Sequence, residues 1–195
     1  MNPDDERHWV ERAARDPTAF AQLYNHYFPR LYAYARYRTA GDHEAEEVVA
    51  ETFLKVVETL DRFRWRHTQS FAAWVFRIAH NVLIDRAHHQ GRVQSVPLAD
   101  VPHLVSHTVL PDDAAVRTEE FAHLHHLVAT LSPRRQEIIT LRFFGGLRNQ
   151  EIAHVLGIDE RTVAAHLCRG LEDLHRKYRD ASTGTREGAT HECAG

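Results

Sequence analysis

The stretch that most constrains the fold is residues 146–167, which encodes two short helices around a tight turn. Gly157 can adopt a positive φ and end the first helix, and Asp159 can cap the second by accepting bonds from its free amides. The apolar residues of the first helix share one face: Ile152, Ala153 and Leu156. This pattern is typical of a helix-turn-helix, whose second helix enters the DNA major groove. The alternative is an ordinary helical hairpin in a bundle.

The second helix of this motif divides into an apolar and a polar face. Its buried stripe is expected to contain Val163, Leu167, Leu171 and Leu174, which recur at three-residue and four-residue steps. The opposite face is small, polar and basic, and comprises Arg161, Thr162, Ala165, His166 and Arg169. Recognition of a base sequence requires side-chain hydrogen-bond donors on a rigid helix. The best donors on this face are Arg169 and His166.

Charge is unevenly distributed along the chain, although its net value is only −3. Residues 60–92 carry six Lys and Arg against two Asp and Glu, and residues 132–179 carry nine against six. Acidic blocks precede, separate and follow these two basic blocks. Basic blocks suit a phosphate backbone, whereas acidic blocks suit protein docking.

The first half begins with a polar segment, residues 1–15, which we expect to be frayed, although Trp9 and Val10 could pin a first turn. Asp16-Pro17 is a helix-start signal, and Pro29 is expected to bend or split the helix that follows. A clean amphipathic helix then has apolar positions 45, 48, 49, 52, 53, 56, 57 and 60. Asp42 is the expected cap of this helix. Its other face presents Glu47, Ala50, Glu51, Leu54 and Glu58, and is either solvated or a docking face for a basic partner.

Cations alternate with aromatic rings just after this helix, at Phe63, Arg64, Trp65 and Arg66. Such a segment suits single-stranded nucleic acid, because cations meet phosphates while a ring stacks on an unpaired base. The alternative is a core-anchoring aromatic pair beside surface arginines. Ser70 then caps a helix whose inward residues are Phe71, Trp74, Val75, Ile78 and Val82. Its outer face is expected to carry Arg77, Asn81, Ile84 and His88, with His80 nearby.

The chain is predicted to be all-α, with two small helical domains, because no segment has the pattern of a strand. Residues 91–116 contain one glycine and three prolines and show no sustained period, so we interpret them as an acidic, flexible linker. It separates a domain at residues 16–90 from a helix-turn-helix domain at residues 117–179. Ser132-Pro133 starts a helix in the second domain, with the serine hydroxyl as its cap. Residues 180–195 are expected to be a disordered tail.

Several classes of function are disfavoured by the sequence. The N-terminus is polar and acidic, no apolar run is long enough for a bilayer, and two distant cysteines give no disulfide framework, so we expect a cytoplasmic protein without membrane insertion. The chain has no Gly-rich phosphate loop, nucleophile–histidine arrangement or carboxylate pair, so neither an enzyme nor a cofactor is expected. Histidines at 123, 125, 126 and 191, with Cys193, raise a metal site as an alternative. They lack the Cys-x-x-Cys or His-Glu-x-x-His spacing, which favours solvated histidines and no metal.

The order of these blocks resembles an extracytoplasmic-function sigma factor, the smallest class of bacterial sigma subunits. The blocks are Phe-Ala-Gln-Leu-Tyr at 20–24, Ala-Glu-Glu-Val-Val-Ala-Glu-Thr-Phe at 45–53, the helix at 70–86, Leu-Ser-Pro-Arg-Arg-Gln-Glu at 131–137, and the helix-turn-helix. The resemblance covers residues 17–178 apart from the linker. It implies a subunit that binds core RNA polymerase, recognises promoter DNA and helps open it. An anti-sigma factor is a further candidate partner.

The resemblance also implies a role for each surface. The helix around residues 45–53 would dock on the clamp helices of the largest polymerase subunit through Glu47, Ala50, Glu51 and Leu54. The minus-ten element would be read by Phe63, Arg64, Trp65, Arg66, Arg77, His80, Asn81, Ile84 and His88. The minus-thirty-five element would be read by Arg161, Thr162, Ala165, His166 and Arg169.

This sequence departs from the family pattern at several positions. Ala50 replaces a usual Gln, and Arg148 stands where a Ser or Thr normally caps the first helix of the motif, although Asn149 could substitute. His166 belongs to a triplet that is commonly Lys-Ser-Arg-like, so we expect modest DNA affinity with a pH dependence near about 6.5. The competing interpretation is a helix-turn-helix regulator that binds operators as a dimer without polymerase. The aromatic-basic segment and the absence of a strand-helix alternation in the first half favour the sigma factor.

Overall fold

The computed structural model of the chain describes residues 3–65, 70–89 and 126–187, and within these residues all regular structure is helical. The N-terminal module (residues 3–65 and 70–89) contains four α-helices and a 3-10 turn at Leu60–Arg62. The C-terminal module (residues 126–187) contains three, preceded by helical residues 126–129. The helices are α1 Pro3–Ala13, α2 Pro17–Arg38, α3 Asp42–Thr59, α4 Phe71–His89, α5 Pro133–Phe143, α6 Asn149–Leu156 and α7 Glu160–Glu187. The all-α prediction is confirmed. No helix in the described ranges is long and apolar enough to cross a membrane.

The first helix corrects the expectation of a frayed N-terminus. Val10 and Ala13 are 6% and 8% exposed, and they join the main core, with Trp9 packed against it. The hydroxyl of Tyr27 also donates a hydrogen bond to the carboxylate of Glu6. These two buried residues, three positions apart, give α1 one apolar edge, which is sufficient because the rest of the module supplies the surface it packs on.

Helix α2 runs through Pro29 without interruption, so the expected split does not occur. Asp16 caps the helix as predicted, since its Oδ1 accepts from the Thr18 amide at 2.9 Å. Residues on both sides of the proline are almost fully buried: Leu23, Tyr27, Leu31 and Tyr34. The proline itself is exposed. Core packing on both sides therefore holds the two halves of the helix in one element, despite the lost backbone bond.

Helix α3 follows the predicted apolar period, with two corrections. Its cap position is Gly41, and Asp42 instead accepts from Arg36 Nε at 2.6 Å and from the Tyr32 hydroxyl at 3.0 Å. The side chain of Asp42 is therefore used to neutralise a buried arginine rather than to cap the helix. Val57, placed in the apolar stripe by periodicity, is 55% exposed because it lies on the outer side of α3 with Leu54, while Val56 and Leu60 take the buried positions at that end.

The C-terminal module confirms the helix-turn-helix. Gly157 ends α6 in the left-handed region, with φ 65° and ψ 35°. Ser132 occupies the cap position of α5, but its hydroxyl makes no capping bond, and the amides of Arg135 and Gln136 bond to its backbone oxygen instead. Helix α7 continues to Glu187, beyond residue 180 where the tail was expected to begin.

The two modules share one hydrophobic core. Its members include Phe76 of α4 and Leu141, Ile152 and Val163 of the C-terminal module, all fully buried. Phe76 lies outside the inward stripe that periodicity predicted for α4, and it is buried because the second module covers it. Small modules bury a low fraction of their surface, so packing against each other removes apolar area that neither could bury alone. The proposed linker at 91–116 lies outside the described residues.

Candidate nucleic-acid interface

The outer face of α7 begins at a well-formed cap. Asp159 Oδ1 accepts from the Thr162 amide at 2.8 Å, and the Thr162 hydroxyl donates to Oδ2 at 2.5 Å. Both bonds lower the pKa of Asp159. Arg161 and Arg169 are exposed, and neither guanidinium has a carboxylate within salt-bridge distance among the described residues. The threonine is therefore engaged in the cap, whereas neither arginine is neutralised by a carboxylate; Arg169 Nε donates to the Ala165 carbonyl at 3.2 Å, which leaves its terminal nitrogens for a ligand.

His166 is a half-buried member of the same face. Its Nδ1 is buried and has no hydrogen-bond partner in the described part of the chain. Burial, followed by the charges of Arg169, Arg135 and Arg134, lowers its pKa below the ordinary value of 6.5. The imidazole is therefore neutral at pH 7, as the sequence suggested. The pH dependence of DNA binding stays a prediction, with its midpoint now expected below 6.5.

Two features of this face were not anticipated. Arg134, at the start of α5, is exposed and lies close enough to His166 to affect its pKa. It is a candidate phosphate contact, and its only sequence signal was its place in the 131–137 block. Leu171, predicted to be buried, is 41% exposed because the buried side of α7 runs through Gly170, which packs against Ile139, and Leu174 instead.

Four of the predicted α4 residues form one exposed stripe: Arg77, Asn81, Ile84 and His88. Their steps of four, three and four residues place them along one side of the helix. His80 is not part of this exposed stripe. Its side chain is 16% exposed, and Nδ1 lies 3.1 Å from Glu137 Oε1 and 3.2 Å from the Tyr34 hydroxyl. His80 therefore faces the C-terminal module in this conformation.

The aromatic-basic segment is only partly accessible. Phe63 is 8% exposed, with its ring 5.2 Å from Phe71 and 5.0 Å from Trp74. In this conformation it is a core residue, which was the alternative that the sequence left open. Arg64 is exposed but bonds back to the carbonyls of Asp61 and Phe63, at 2.6 and 2.9 Å.

Trp65 is the accessible ring of this segment. It is half-buried, contacts Phe63 edge to face at 5.2 Å, and has a buried Nε1 without a partner among the described residues. A buried donor without a hydrogen-bond partner costs free energy. Of the two rings, Phe63 and Trp65, the indole would therefore be stabilised more by a bound ligand. Arg66 lies outside the described residues.

The predicted docking face on α3 combines charge with exposed apolar area. Glu47 and Glu51 accept from Arg86 of α4 at 2.8 and 3.0 Å. The Arg86 bond lowers the pKa of Glu47; burial raises that of Glu51, but bonds from Lys55 and Arg86 outweigh it and lower the value. Ala50 is exposed, and Leu54 is 59% exposed beside Val57. The face therefore offers a bare apolar patch edged by carboxylates, one of which, Glu51, is partly covered.

The modules meet at a buried carboxylate that the sequence did not single out. Glu137 of α5 is 5% exposed and accepts from the Tyr34 hydroxyl at 2.6 Å, from His80 and from Arg38. Burial raises its pKa, but the bonds from His80 and Tyr34 and the charge of Arg38 dominate and set it at about 2. In the sequence, Glu137 stands out only as the last residue of the 131–137 block. Periodicity does not predict which residues it contacts.

The first helix of the motif adds a second contact between the modules. Arg148 is the cap residue of α6, and its amide donates to Glu151 Oε2 at 2.8 Å. Asn149 is the first helical residue, so it does not substitute for the missing Ser or Thr, and its Oδ1 is buried without a partner in the described ranges. The other oxygen of Glu151 accepts from Ser70 Oγ, the cap of α4, at 2.6 Å.

No metal centre is found where the structure describes the chain, since no three His, Cys, Asp or Glu residues come together there. His126 belongs to the described residues, whereas His123, His125, His191 and Cys193 lie outside them. Cys168 of α7 is an exposed free thiol.

Both modules match known protein families. Residues 23–93 match the family model of Sigma-70 region 2, and residues 122–174 match that of Sigma-70 region 4. The chain is 30% identical over 174 residues to the ECF RNA polymerase sigma factor SigW of Bacillus subtilis, covering 85% of this chain and 91% of SigW. It is 31% identical over 172 residues to the ECF sigma factor BldN of Streptomyces coelicolor, covering 88% of this chain but 65% of BldN.

Solved structures share the fold. CnrH, solved in complex with the cytosolic domain of CnrY, matches with a TM-score of 0.67 at 24% identity, over 90% of this chain and 98% of that one. The sigma factor RpoE of Bartonella quintana, solved in complex with the anti-sigma factor NepR, matches with a TM-score of 0.63 at 21% identity, over 82% and 96% of the two chains. With both regions matched in order and SigW related along most of its length, the chain belongs to the ECF sigma factors of bacterial RNA polymerase.

Proposed function

We propose that this chain directs core RNA polymerase to a specific set of promoters by holding two separate DNA-reading faces. The outer stripe of α4, together with Trp65, reads the minus-ten element. The outer face of α7 reads the minus-thirty-five element. The observation that carries the proposal is that one chain presents two exposed faces on different modules, with Arg77 on one and Arg161 and Arg169 on the other. An operator-binding regulator needs only one such face per chain.

The polymerase contact is assigned to α3. An interface needs a desolvated apolar centre with a polar rim, and Leu54 with Val57 supplies the centre while Glu47 and Glu51 supply the rim. These carboxylates already pair with Arg86 and, for Glu51, with Lys55, so their main effect on a basic partner surface would be to fix the orientation of docking. The subunit acts in the cytoplasm by binding, with no covalent chemistry of its own.

An inhibitory protein is a second partner that we infer. Two relatives of this fold were solved with a bound protein, CnrH with CnrY and RpoE with the anti-sigma factor NepR. The exposed apolar residues of this chain give such a protein surface to cover. Those on the C-terminal module are Phe143, Leu171 and Tyr178.

In-vitro transcription with purified core polymerase on a library of genomic fragments tests the proposal. We expect the chain to co-elute with core polymerase and to support initiation at a subset of fragments that share two conserved elements. The docking variant Leu54→Asp should abolish both results, whereas Leu171→Asp, an exposed leucine on the other module, should preserve them. Binding of promoter fragments by the chain alone as a symmetric dimer would instead identify an operator-binding regulator.

A further inference from the structure

The rim of the docking face on α3 is bridged by an arginine from α4. Arg86 Nη1 donates to Glu47 Oε2 at 2.8 Å, and Arg86 Nε donates to Glu51 Oε2 at 3.0 Å. The two carboxylates are four residues apart on α3, so they lie on neighbouring turns and one guanidinium reaches both. Because the guanidinium donors lie in a fixed plane, this double contact sets the position of Arg86 against the rim.

A second cation completes the charge balance of this rim. Lys55 Nζ lies 3.0 Å from Glu51 Oε1, so two cations face two carboxylates within one group. We call Glu47, Glu51, Lys55 and Arg86 the rim network, and its formal charges cancel. Arg86 and Glu51 are half-buried, so solvent screens their pairing less than it screens a fully exposed ion pair.

The ionised state of the network is stabilised from both helices. Burial lowers the pKa of Arg86, but the bonds to Glu47 and Glu51 outweigh it and raise the value. The bond from Arg86 in turn lowers the pKa of Glu47. The bridge is therefore an ion pair at pH 7, and the free chain presents a rim of paired charges rather than bare carboxylates.

Arg86 lies apart from the exposed stripe of the same helix. It is two residues from both Ile84 and His88, which is about 200° around an α-helix. Val82, about one turn before Arg86, is fully buried, so Arg86 extends the inward side of α4 beyond the core. The helix therefore carries its exposed stripe on one side and the bridge to the docking face on the other. An effect of Arg86 is thus expected on docking rather than on DNA reading.

We propose that Arg86, together with Lys55, neutralises the rim of the docking face, so that the affinity for core polymerase depends on the apolar centre and little on salt. The inference rests on the proposed function, which assigns the polymerase contact to α3. Bare carboxylates would attract a basic partner surface over the screening length, and that attraction would weaken as salt increases. A balanced rim has little such field, so burial of Leu54 and Val57 supplies most of the affinity. Arg86 is therefore a positioning residue that acts on the partner through the two rim carboxylates.

The test measures the affinity of the full chain for core polymerase between about 0.1 M and about 1 M salt, over which the screening length falls from about 10 Å to about 3 Å. Arg86→Gln and Lys55→Gln each remove one cation from the rim network, whereas Arg86→Lys keeps the charge without the planar fork. Arg15→Gln, at an exposed arginine with no ion pair among the described residues, is the control for total charge. Measurement at about pH 8, where an imidazole is uncharged, excludes a contribution from His43, which lies 3.4 Å from Glu47.

We expect Arg86→Gln and Lys55→Gln to bind polymerase about twofold to fivefold more tightly than the parent at the low salt concentration, and equally at the high one, as for one exposed ion pair. Arg86→Lys and Arg15→Gln should match the parent throughout. Adding Glu47→Gln to Arg86→Gln restores the charge balance, so the salt dependence should return to that of the parent. Loss of a purely structural contact would not produce tighter binding that disappears with salt.

Two results would overturn the proposal. In one, Arg86→Gln and Lys55→Gln both bind like the parent at every salt concentration. In the other, Arg86→Gln binds more weakly throughout while Lys55→Gln binds like the parent, which would mean that Arg86 only holds α4 against α3. Because the rim bond of Lys55 stays within α3, Lys55→Gln still decides the charge effect if Arg86→Gln loses helical content by circular dichroism.

Titration of a rim carboxylate separates this inference from the proposed function. Carboxyl NMR shifts give the pKa of Glu47 in the chain alone, and Arg86→Gln should raise it, since the bond from Arg86 lowers it in the parent. An unchanged value would refute neutralisation of the rim. Failure of the parent and of every variant to bind polymerase would refute the proposed function, while the titration would still decide whether Arg86 neutralises the rim.

Discussion

The hydroxyl of Tyr34 donates a 2.6 Å hydrogen bond to Glu137, a residue 103 positions later in the chain. Both residues are buried, with 0% and 5% of their surface exposed. Burial raises the pKa of Tyr34 well above its ordinary value, so the phenol keeps its proton and remains the donor. This one bond joins α2, in the half that carries the proposed docking and minus-ten faces, to α5, which supports the helix-turn-helix.

Acid should weaken the protein through Glu137. Its pKa is about 2 in the folded chain against an ordinary 4.5. A depressed carboxyl pKa contributes stability above the unfolded pKa and loses it as pH falls through the folded pKa. We expect the free energy of unfolding to fall by on the order of 3 kcal/mol between pH 4.5 and 2 on this account. Urea unfolding at several pH values, compared with Glu137→Gln, isolates this group; parallel profiles for the two proteins would contradict the assignment.

Leu54 should matter for polymerase binding and not for folding. Its side chain is 59% exposed, so Leu54→Ala leaves no cavity, but it removes the apolar centre of the α3 face. We expect a loss of about 1–2 kcal/mol in affinity for core polymerase, the range of a central interface residue. Leu171→Ala, an exposed leucine on α7, is the control. Equal effects of the two substitutions would place the docking surface elsewhere.

Arg169→Ala should reduce discrimination at the minus-thirty-five element. A bidentate arginine contact is worth about 1–3 kcal/mol of preference for one base. The change is measured by transcription from a consensus promoter and from promoters with single substitutions in that element. Arg176→Ala, two turns further along the same face of α7, is expected to preserve the preference. If the parent protein already transcribes the consensus and the substituted promoters equally, Arg169 does not read this element.

The two aromatic residues after α3 should behave differently. Trp65 is half-buried and has an unpartnered Nε1, so Trp65→Ala is expected to slow strand opening more than initial binding. Phe63 is a core residue, so Phe63→Ala should cost about 3–5 kcal/mol of stability and impair both steps together. Permanganate reactivity of promoter thymines reports opening, and thermal unfolding reports stability. A Trp65 variant with equal losses in both steps would indicate a packing role only.

Substitution of Gly145 and of Gly157 should destabilise the protein for different reasons. A Cβ on Gly145 would lie 2.6 Å from the Leu141 carbonyl oxygen and 2.9 Å from Phe76 Cε1, so Gly145→Ala should push the modules apart at a cost of about 1–3 kcal/mol. Gly157 has open space around it but a φ of +65°, so Gly157→Ala should cost about 1–2 kcal/mol through backbone strain. Asn at 157 should restore part of the stability, whereas Asn at 145 should not. Unfolding midpoints of the four variants give the comparison, and rescue by Asn at both positions would refute the steric explanation.

Much of the local structure could be predicted from short-range pattern. The apolar period of α3, the Asp16 cap, the Ser70 cap and the left-handed Gly157 all depend on residues within one or two turns of each other. The exposed stripe of α4 follows from the same period. Such features are visible in sequence because a helix brings together residues that are three and four positions apart.

The errors have a common physical source, which is packing between distant elements. Val57 and Leu171 have apolar spacing but lie beside the buried positions, which Val56 and Gly170 occupy, whereas Phe76 falls off the predicted stripe and is buried by the second module. The contact of His80 with Glu137 was likewise not predicted from its position on α4, and its role in DNA binding stays a prediction. A residue 57 positions away supplies that contact, and no local pattern reports it.

The sequence by itself determined the helices after the first, the turn that makes the DNA-binding motif and the family, because these depend on local periodicity, on capping chemistry and on the order of blocks. Tertiary structure alone decided that the two modules share a core and that Glu137 is the buried charge between them. The reason is that burial and pKa are set by whatever surrounds a side chain in space, and for Glu137 those neighbours lie between 57 and about 100 residues away along the chain.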